Sequence, residues 1–488
     1  MAIGWQLKGD GRTLGPDEVV APHERLSWGR TVGLGMQHVV AMFGATFVFP
    51  VLMGLNPQLA IMMSGVATIC FLLIVQGKIP SYLGSSASFV GAVVAIGTQG
   101  GTPQQVTGAL LVAGVALALV GVFIHLAGAA ALTKVLPPVV TGAVVMLIGF
   151  NLAPVVADTY WPQDQWIALL VMIAVITMSV GLRGFFGRIS VFLGLVLGYL
   201  LSWGADRVFG QITSFSPAAG EVTTHYRVDW SAVRDAPWIG FPPATDNAAG
   251  IVGWHLPEFK LAFILVVLPA VIALVAENVG HVKAVAEMTG ENLDPYMGRA
   301  LMADGVGAVL ATSVGGSPTT TYAENIGVMA STRVYSTAAY YVAALTAIAV
   351  GFSPKFGAIV SATPGGVLGG ITVVLYGMIG LLGAKIWAEN RVDFSNPLNL
   401  VPVAAGIIIA IGDTSMEITP DFVLSGIALG TIVTVCAYHL ARALAPAHLR
   451  ERADGAGIVL TSPGSDDLDE LGLEDDFGRA IRSPLDER

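Results

Sequence analysis

Charge is what this sequence has least of. Only 12% of its 488 residues are Asp, Glu, Lys or Arg, against about a quarter in soluble domains. Residues 31–77 contain none of the four, and neither do residues 79–133. A soluble core of this size interleaves charge every few residues, so that class is excluded. Each run holds at least two membrane crossings of about 20 apolar residues, and the mean hydropathy of +0.72 agrees. Cysteine is nearly absent: Cys70 and Cys436 both lie in apolar stretches. Without clustered histidines they imply neither a structural disulfide nor a metal site, and they read as small buried hydrophobes. The GxxxxGK[ST] loop of ATP-driven machines is missing. No nucleophile–base pair or metal cluster stands out, so neither an enzyme nor a cofactor is expected.

The first thirty residues lack the short apolar core and cleavage site of a signal peptide, so the first span is expected to act as its own insertion signal. Apolar runs predict spans near 31–53, 57–77, 106–128, 135–157, 165–182, 189–205, 259–281, 297–313, 335–352, 358–381, 397–412 and 421–441. Two further stretches, 79–99 and 315–332, are rich in Gly, Ser and Thr. They are long enough to cross only if part of each is not ordinary helix. Counting them gives fourteen crossings with both termini on one side. A cytoplasmic N-terminus then places Lys78, Lys134, Arg183, Arg188, Lys283, Arg299, Arg333, Lys385 and Arg391 in inner loops and only Lys355 in an outer short loop, as the positive-inside bias requires. The tail past residue 442 carries the acidic run DDLDELGLEDD, the composition of a solvated, disordered segment.

The halves echo one another. Pro137 and Gly142 share their spacing with Pro364 and Gly369, 227 residues on, and Gly91 precedes Gly327 by 236. Half of fourteen is odd, so the second repeat enters from the opposite side. Inverted repeats with paired broken helices point to a midplane site in secondary transporters.

Ionisable residues inside spans cost about 2.5–3.5 kcal/mol on insertion scales and default to function. Three stand out: Glu277 and His281, four apart on one helix face, and Glu324 in the interrupted segment TTTYAENIG. Thr319, Thr320 and Thr321 are β-branched and favour extended backbone. A strand running into a helix start near Ala323 leaves N–H groups without intrahelical partners. Those around Tyr322 and Ala323 are expected to donate to a ligand carbonyl, while Glu324 accepts a ligand N–H. The earlier stretch Ser85, Ser86, Ala87, Ser88 and Phe89 offers similar amides and an aromatic face. Donors beside acceptors suit a planar, amide-like ring, and a carboxylate near an imidazole titrates as a coupled proton carrier. Gln37 and His38 read equally as support for the site and as an interhelical hydrogen bond.

Glu324-Asn325-Ile326-Gly327, then four residues, then Thr332-Arg333, resembles the signature of the nucleobase–ascorbate transporter (nucleobase:cation symporter-2) family. Gln37-His38 resembles its first-span QH motif and AENVGHVKAVA its eighth-span motif, with similarity from about residue 22 to 441. GSSASFVGAV and TTYAENIGVMA look most like the bacterial uracil/pyrimidine-permease branch. The resemblance implies an all-α membrane fold of 14 segments in a 7+7 inverted repeat, with short strands opening spans three and ten. It implies a core domain from residues 31–128 and 259–352 and a gate domain from 129–205 and 353–441. Outside these lie a cytoplasmic segment 1–30, an extracytoplasmic loop 206–258 and the cytoplasmic tail 442–488. Glu277 and Glu324 would bind a nucleobase, most readily uracil with xanthine as runner-up, and His281 would tune Glu277 and the proton. Ala87, Ser88, Phe89, Tyr322 and Ala323 would border the base, with Tyr376 reaching in from the gate, and Gln37, His38 and Asn325 would stand behind them. Proton symport, a bacterial inner-membrane location and a homodimer through the gate domains complete the expectation. Position 87 is Ala where well-studied uracil members carry Phe, and position 323 is Ala rather than Gly. An anion transporter of similar architecture is the competing class, but two acids would repel its permeant.

Overall fold

Among the described residues the charge-free runs fold mainly as helices, because backbone at membrane depth must satisfy its own N–H and C=O groups. The computed structural model describes residues 4–15, 18–128, 136–183, 185–216, 221–242, 253–419 and 422–455. Its first half contains β1 (Gln6–Leu7), β2 (Glu24–Arg25), α1 (Trp28–Leu52), α2 (Pro57–Ile74), β3 (Leu83–Ser85), α3 (Val90–Thr98), α4 (Pro103–Ala127), α5 (Pro138–Asn151), α6 (Gln165–Gly181) and α7 (Ser190–Phe209). The hairpin β4 (Ile212–Ser216) and β5 (Glu221–His225) follows. The second half contains α8 (Leu261–Val267), α9 (Ala270–Thr289), α10 (Met297–Thr312), β6 (Thr319–Thr321), α11 (Ala323–Thr332), α12 (Thr337–Gly351), α13 (Pro354–Ser361), α14 (Gly365–Glu389), α15 (Pro397–Ile411), β7 (Ser415–Thr419), β8 (Phe422–Ser425), α16 (Gly426–Leu444) and α17 (Ala447–Gly455).

Among the described residues, eight helices are long and apolar enough to cross a membrane, and α12 with α13 makes a ninth if that pair, bent by 85°, is one span. This is fewer than the fourteen read from sequence, because several expected crossings are short or interrupted. α6 has 17 residues and α15 has 15, and the stretches around β3 and β6 are part strand. Boundaries also move. The expected span 259–281 breaks at Pro269, which cannot donate to the helix ladder, and then continues to Thr289. The expected span 421–441 opens as strand β8 before its helix. The acidic run of the tail lies outside the described residues.

The helices pack in two groups. α1, α2, α4, α10 and α12 contact one another, as do α5, α6, α7, α14, α15 and α16. The α4–α10 contact is the most intimate because glycines face backbone: a Cβ on Gly121 would lie 2.2 Å from the Met302 nitrogen, and one on Gly298 2.4 Å from the His125 nitrogen. Small residues let membrane helices approach closely enough for dispersion to hold them.

Residues 206–216 and 221–242 form a cap. Arg227 secures it, donating from Nε to Asp164 Oδ2 at 2.7 Å and from Nη1 to Asp206 Oδ1 at 3.1 Å and the Gly210 carbonyl at 3.0 Å. The described part of the N-terminal segment packs on the helices too. β1 pairs with β2, and Val20 bridges Val334, just past α11.

Candidate functional site

The two interrupted segments meet. β3 and β6 pair antiparallel, with Leu83 opposite Thr321, Gly84 opposite Thr320 and Ser85 opposite Thr319. The ladder is extended at one end by Ser86 N–H to Pro318 O (2.9 Å) and at the other by Tyr322 N–H to Tyr82 O (3.0 Å). Each strand then turns into a helix, the first through a 3-10 turn at Ala87–Phe89 into α3, the second directly into α11. The helix starts therefore lie at opposite ends of a three-residue ladder, about 10 Å at strand rise. Gly84 makes the crossing possible: Tyr322 folds back over it, donating its hydroxyl to Ser85 O (2.7 Å) and accepting from Thr46 Oγ1 (3.0 Å).

These bonds correct part of the sequence expectation. The amides of Ser86 and Tyr322 are spent in the ladder, and Ser88 N–H is bonded to Ser86 Oγ at 3.3 Å. At the start of α11 the first intrahelical bond is Ile326 N–H to Tyr322 O, so the amides of Ala323, Glu324 and Asn325 lack intrahelical carbonyls, as does that of Ala87 at the other helix start. Ala323 is exposed although its neighbours Tyr322 and Asn325 are buried, and Ala87 and Glu324 are half-buried. Phe89, expected to offer an aromatic face, is 0% exposed and packed in the main core.

α9 packs against β6, α11 and the Ala87–Phe89 turn. Glu277 Oε2 accepts from Ser88 Oγ at 3.4 Å, and Glu277 lies close enough to Glu324 for the two charges to act on each other. One turn on, His281 Nδ1 lies 2.8 Å from Thr321 Oγ1, which donates to Asn278 Oδ1 at 3.4 Å. Thr321 has a single proton to give, so Nδ1–H of His281 is the donor and Nε2 is the basic ring nitrogen. Asn278 Nδ2 and Thr320 Oγ1 both donate to Asp304 Oδ2, the latter at 3.3 Å. Asp304, on α10, is fully buried, and its Oδ1 has no partner among the described residues.

Sequence reasoning passed over Asp304. The available signal was its position, a single acid in a 16-residue helix otherwise free of acids, which the default for intramembrane acids covers. It joins His281, Thr321 and Asn278 in one buried chain that ends beside the strand crossing.

Behind α11, Asn325 Nδ2 donates to the His38 carbonyl (3.0 Å) and reaches His38 Nδ1 (3.1 Å). Asn325 offers only donors there, so Nδ1 accepts. Tyr340 stacks on His38 at 4.4 Å and donates to Asn325 O at 3.5 Å. His38 thus ties α1 to the helix that carries Glu324, while Gln37 is half-buried beside it. Tyr376 is on α14, in the other packing group; it is buried, with no hydroxyl partner among the described residues.

Comparison with known proteins gives concordant findings. The family model Xan_ur_permease, described as "Permease family", matches residues 29–419. The chain is 42% identical over 434 residues to "Putative pyrimidine permease RutG" of Escherichia coli (strain K12), covering 88% of this chain and 92% of that one. It is 33% identical over 441 residues to the uracil permease of Bacillus subtilis (strain 168), covering 86% and 93%. Two solved structures share the fold. Murine Slc26a9, an anion transporter in the inward-facing state, matches at TM-score 0.60 and 10% identity, over 86% of this chain and 68% of that one. The transmembrane domain of the cyanobacterial bicarbonate transporter BicA matches at TM-score 0.52 and 14% identity, over 84% and 96%.

Proposed function

The chain belongs to the nucleobase–ascorbate transporter family of permeases, on its uracil/pyrimidine-permease branch, and from that premise we propose that it imports a nucleobase, uracil first, by proton symport with alternating access. The relatives are permeases rather than enzymes.

One observation carries the reading: acids from two separate helices lie close enough for their charges to act on each other, Glu324 in the first turn of α11 and Glu277 bonded to Ser88 in the turn that opens α3. A flat ring with alternating N–H and C=O groups fits that arrangement. Glu324 and Glu277 accept ring N–H groups, and the amides of Ala87 and Ala323 donate to ring carbonyls. Each hydrogen bond to a charged partner contributes about 1.5–3 kcal/mol, which offsets the water the ring loses. Ser88 orients Glu277, Tyr322 braces the strand crossing, Phe89 stands in the apolar wall, and Tyr376 approaches from the gate. His281 couples the proton to Glu277, and Asp304 extends that polar chain. Gln37, His38 and Asn325 hold the site helix in place.

The inverted 7+7 architecture is part of the proposal. Thr319 follows Leu83 by the 236 residues that separate Gly91 and Gly327, and the start of α14 follows that of α5 by 227. In this reading the two helix groups are the core and gate domains, between which rocking would alternate access. A bacterial inner-membrane location with cytoplasmic termini, and a dimer through the gate, complete the assignment. The anion transporters that share the fold suggest the rival reading, but two carboxylates this close disfavour an anion.

Uptake of labelled uracil into proteoliposomes, competed by thymine, xanthine and hypoxanthine with and without an imposed pH gradient, tests the proposal. Uracil should compete best and the gradient should drive accumulation. Uptake indifferent to both would overturn it.

A further inference from the structure

The cap residues Trp238 and Ile239 are 74% and 84% exposed, an extreme for large apolar side chains. Their position is tightly specified. Gly240 N–H donates to the Phe352 carbonyl at 2.8 Å, and Lys355 N–H donates to the Pro237 carbonyl at 2.9 Å. These bonds strap the tip to the bend where α12 ends and α13 departs at 85°. Lys355 Nζ donates to the Val233 carbonyl at 3.0 Å and lies 5.2 Å over the Trp238 ring.

The spans read from sequence at 335–352 and 358–381 put that bend at a membrane boundary, where a helix leaving the apolar α12 at 85° would run along the surface. α12 carries exposed Leu345 and Ala349, with Phe352 continuing the stripe just past its end and Leu345 60% exposed, the kind of face a span turns to lipid. Phe241 meets Phe352 edge-on at 5.3 Å, so the tip continues that stripe past the helix end. Pro237, Gly240 and Phe241 also line a cleft of about 1100 Å³ beneath the cap, whereas Trp238 and Ile239 do not. Trp238 and Ile239 are therefore exposed outside the cleft, next to Gly240 and Phe241, which join the tip to Phe352.

We infer that Trp238 and Ile239 are a membrane anchor, inserted among the lipid headgroups on the cap side and holding the cap over the bend that joins α12 to α13. Trp is enriched at this depth because its ring is apolar and its N–H polar, and a lysine beside it can bury its stem while its charge stays in water. The inference rests on the chain spanning a membrane but not on what it transports.

The test uses the full chain in proteoliposomes with Cys70 and Cys436, both free thiols, replaced by alanine. Ile239→Cys, which leaves Trp238 in place, is labelled with an environment-sensitive fluorophore. Asp10→Cys, at an exposed site in the polar N-terminal segment, is the aqueous reference. The label at 239 should emit at shorter wavelength than that at 10. It should be quenched by lipids spin-labelled near the headgroup more than by lipids labelled at the chain end, and it should resist aqueous iodide. Iodide quenching equal to the reference without lipid quenching would overturn the anchor. So would ready disulfide formation between two unlabelled Ile239→Cys chains, which would assign the tip to a second copy. Uptake by Ile239→Cys should stay at the level of the cysteine-free parent, which verifies folding.

Discussion

Replacing Gly84 by alanine tests whether the strand crossing is the structural basis of the site. A Cβ at this position would lie 2.5 Å from the Tyr322 ring and 2.6 Å from Thr46 Oγ1, well inside ordinary contact. The ring would have to retreat by about an ångström, and overpacking of this kind costs about 1–3 kcal/mol. Retreat also breaks the hydroxyl's bonds to Ser85 O and Thr46, each worth about 1 kcal/mol net. Together these amount to about 3–5 kcal/mol against the crossing, and 3 kcal/mol is already more than a hundredfold in a binding constant. Tyr322→Phe keeps the ring and loses only the hydroxyl bonds, so it should cost about 1–2 kcal/mol, roughly tenfold. Binding of labelled uracil to purified protein, read beside thermal unfolding in detergent, separates the two. Gly84→Ala protein that binds and melts like the wild type would refute the reasoning.

Asp304→Ala strands the buried donors of Asn278 and Thr320 and should lower stability by about 2–3 kcal/mol, whereas Asp304→Asn retains an acceptor and should cost about 1. Thermal unfolding of both variants checks the order. Arg227→Met leaves Asp164 and Asp206, each 9% exposed, without their cation. A loss of about 3 kcal/mol should appear as proteolysis of the cap at lower temperature, with cleavage between residues 206 and 242. His281→Ala removes the proposed proton partner but no ring contact. Gradient-driven accumulation of uracil should fall further than downhill exchange, and equal losses would remove His281 from coupling.

Much of this arrangement was legible from residue types. Charge-free runs marked the helices, because no other backbone is self-sufficient at depth. The three threonines at 319–321 marked a strand for steric reasons local to each residue. Glu324 at a helix start followed from the same change of backbone. Illegible features depend on neighbours distant in the chain. Which amides remain available was decided by pairing between segments 236 residues apart, so Tyr322 N–H was assigned to a ligand when Tyr82 accepts it. Phe89 read as a ligand face, but burial is set by helices it does not belong to. Asp304 looked ordinary because its partners, Asn278 and Thr320, lie on other elements. The Arg227 clamp draws on Asp164, 63 residues away, in a segment whose composition suggested only a loop.

Uracil affinity of purified Glu324→Gln, measured by direct binding, bears most closely on the claim that opposed carboxylates recognise the ring. The substitution preserves shape and exchanges one charged acceptor for a donor, which removes about 1.5–3 kcal/mol. Binding should weaken at least about tenfold with the thermal transition unchanged. Wild-type affinity in that variant would contradict the account.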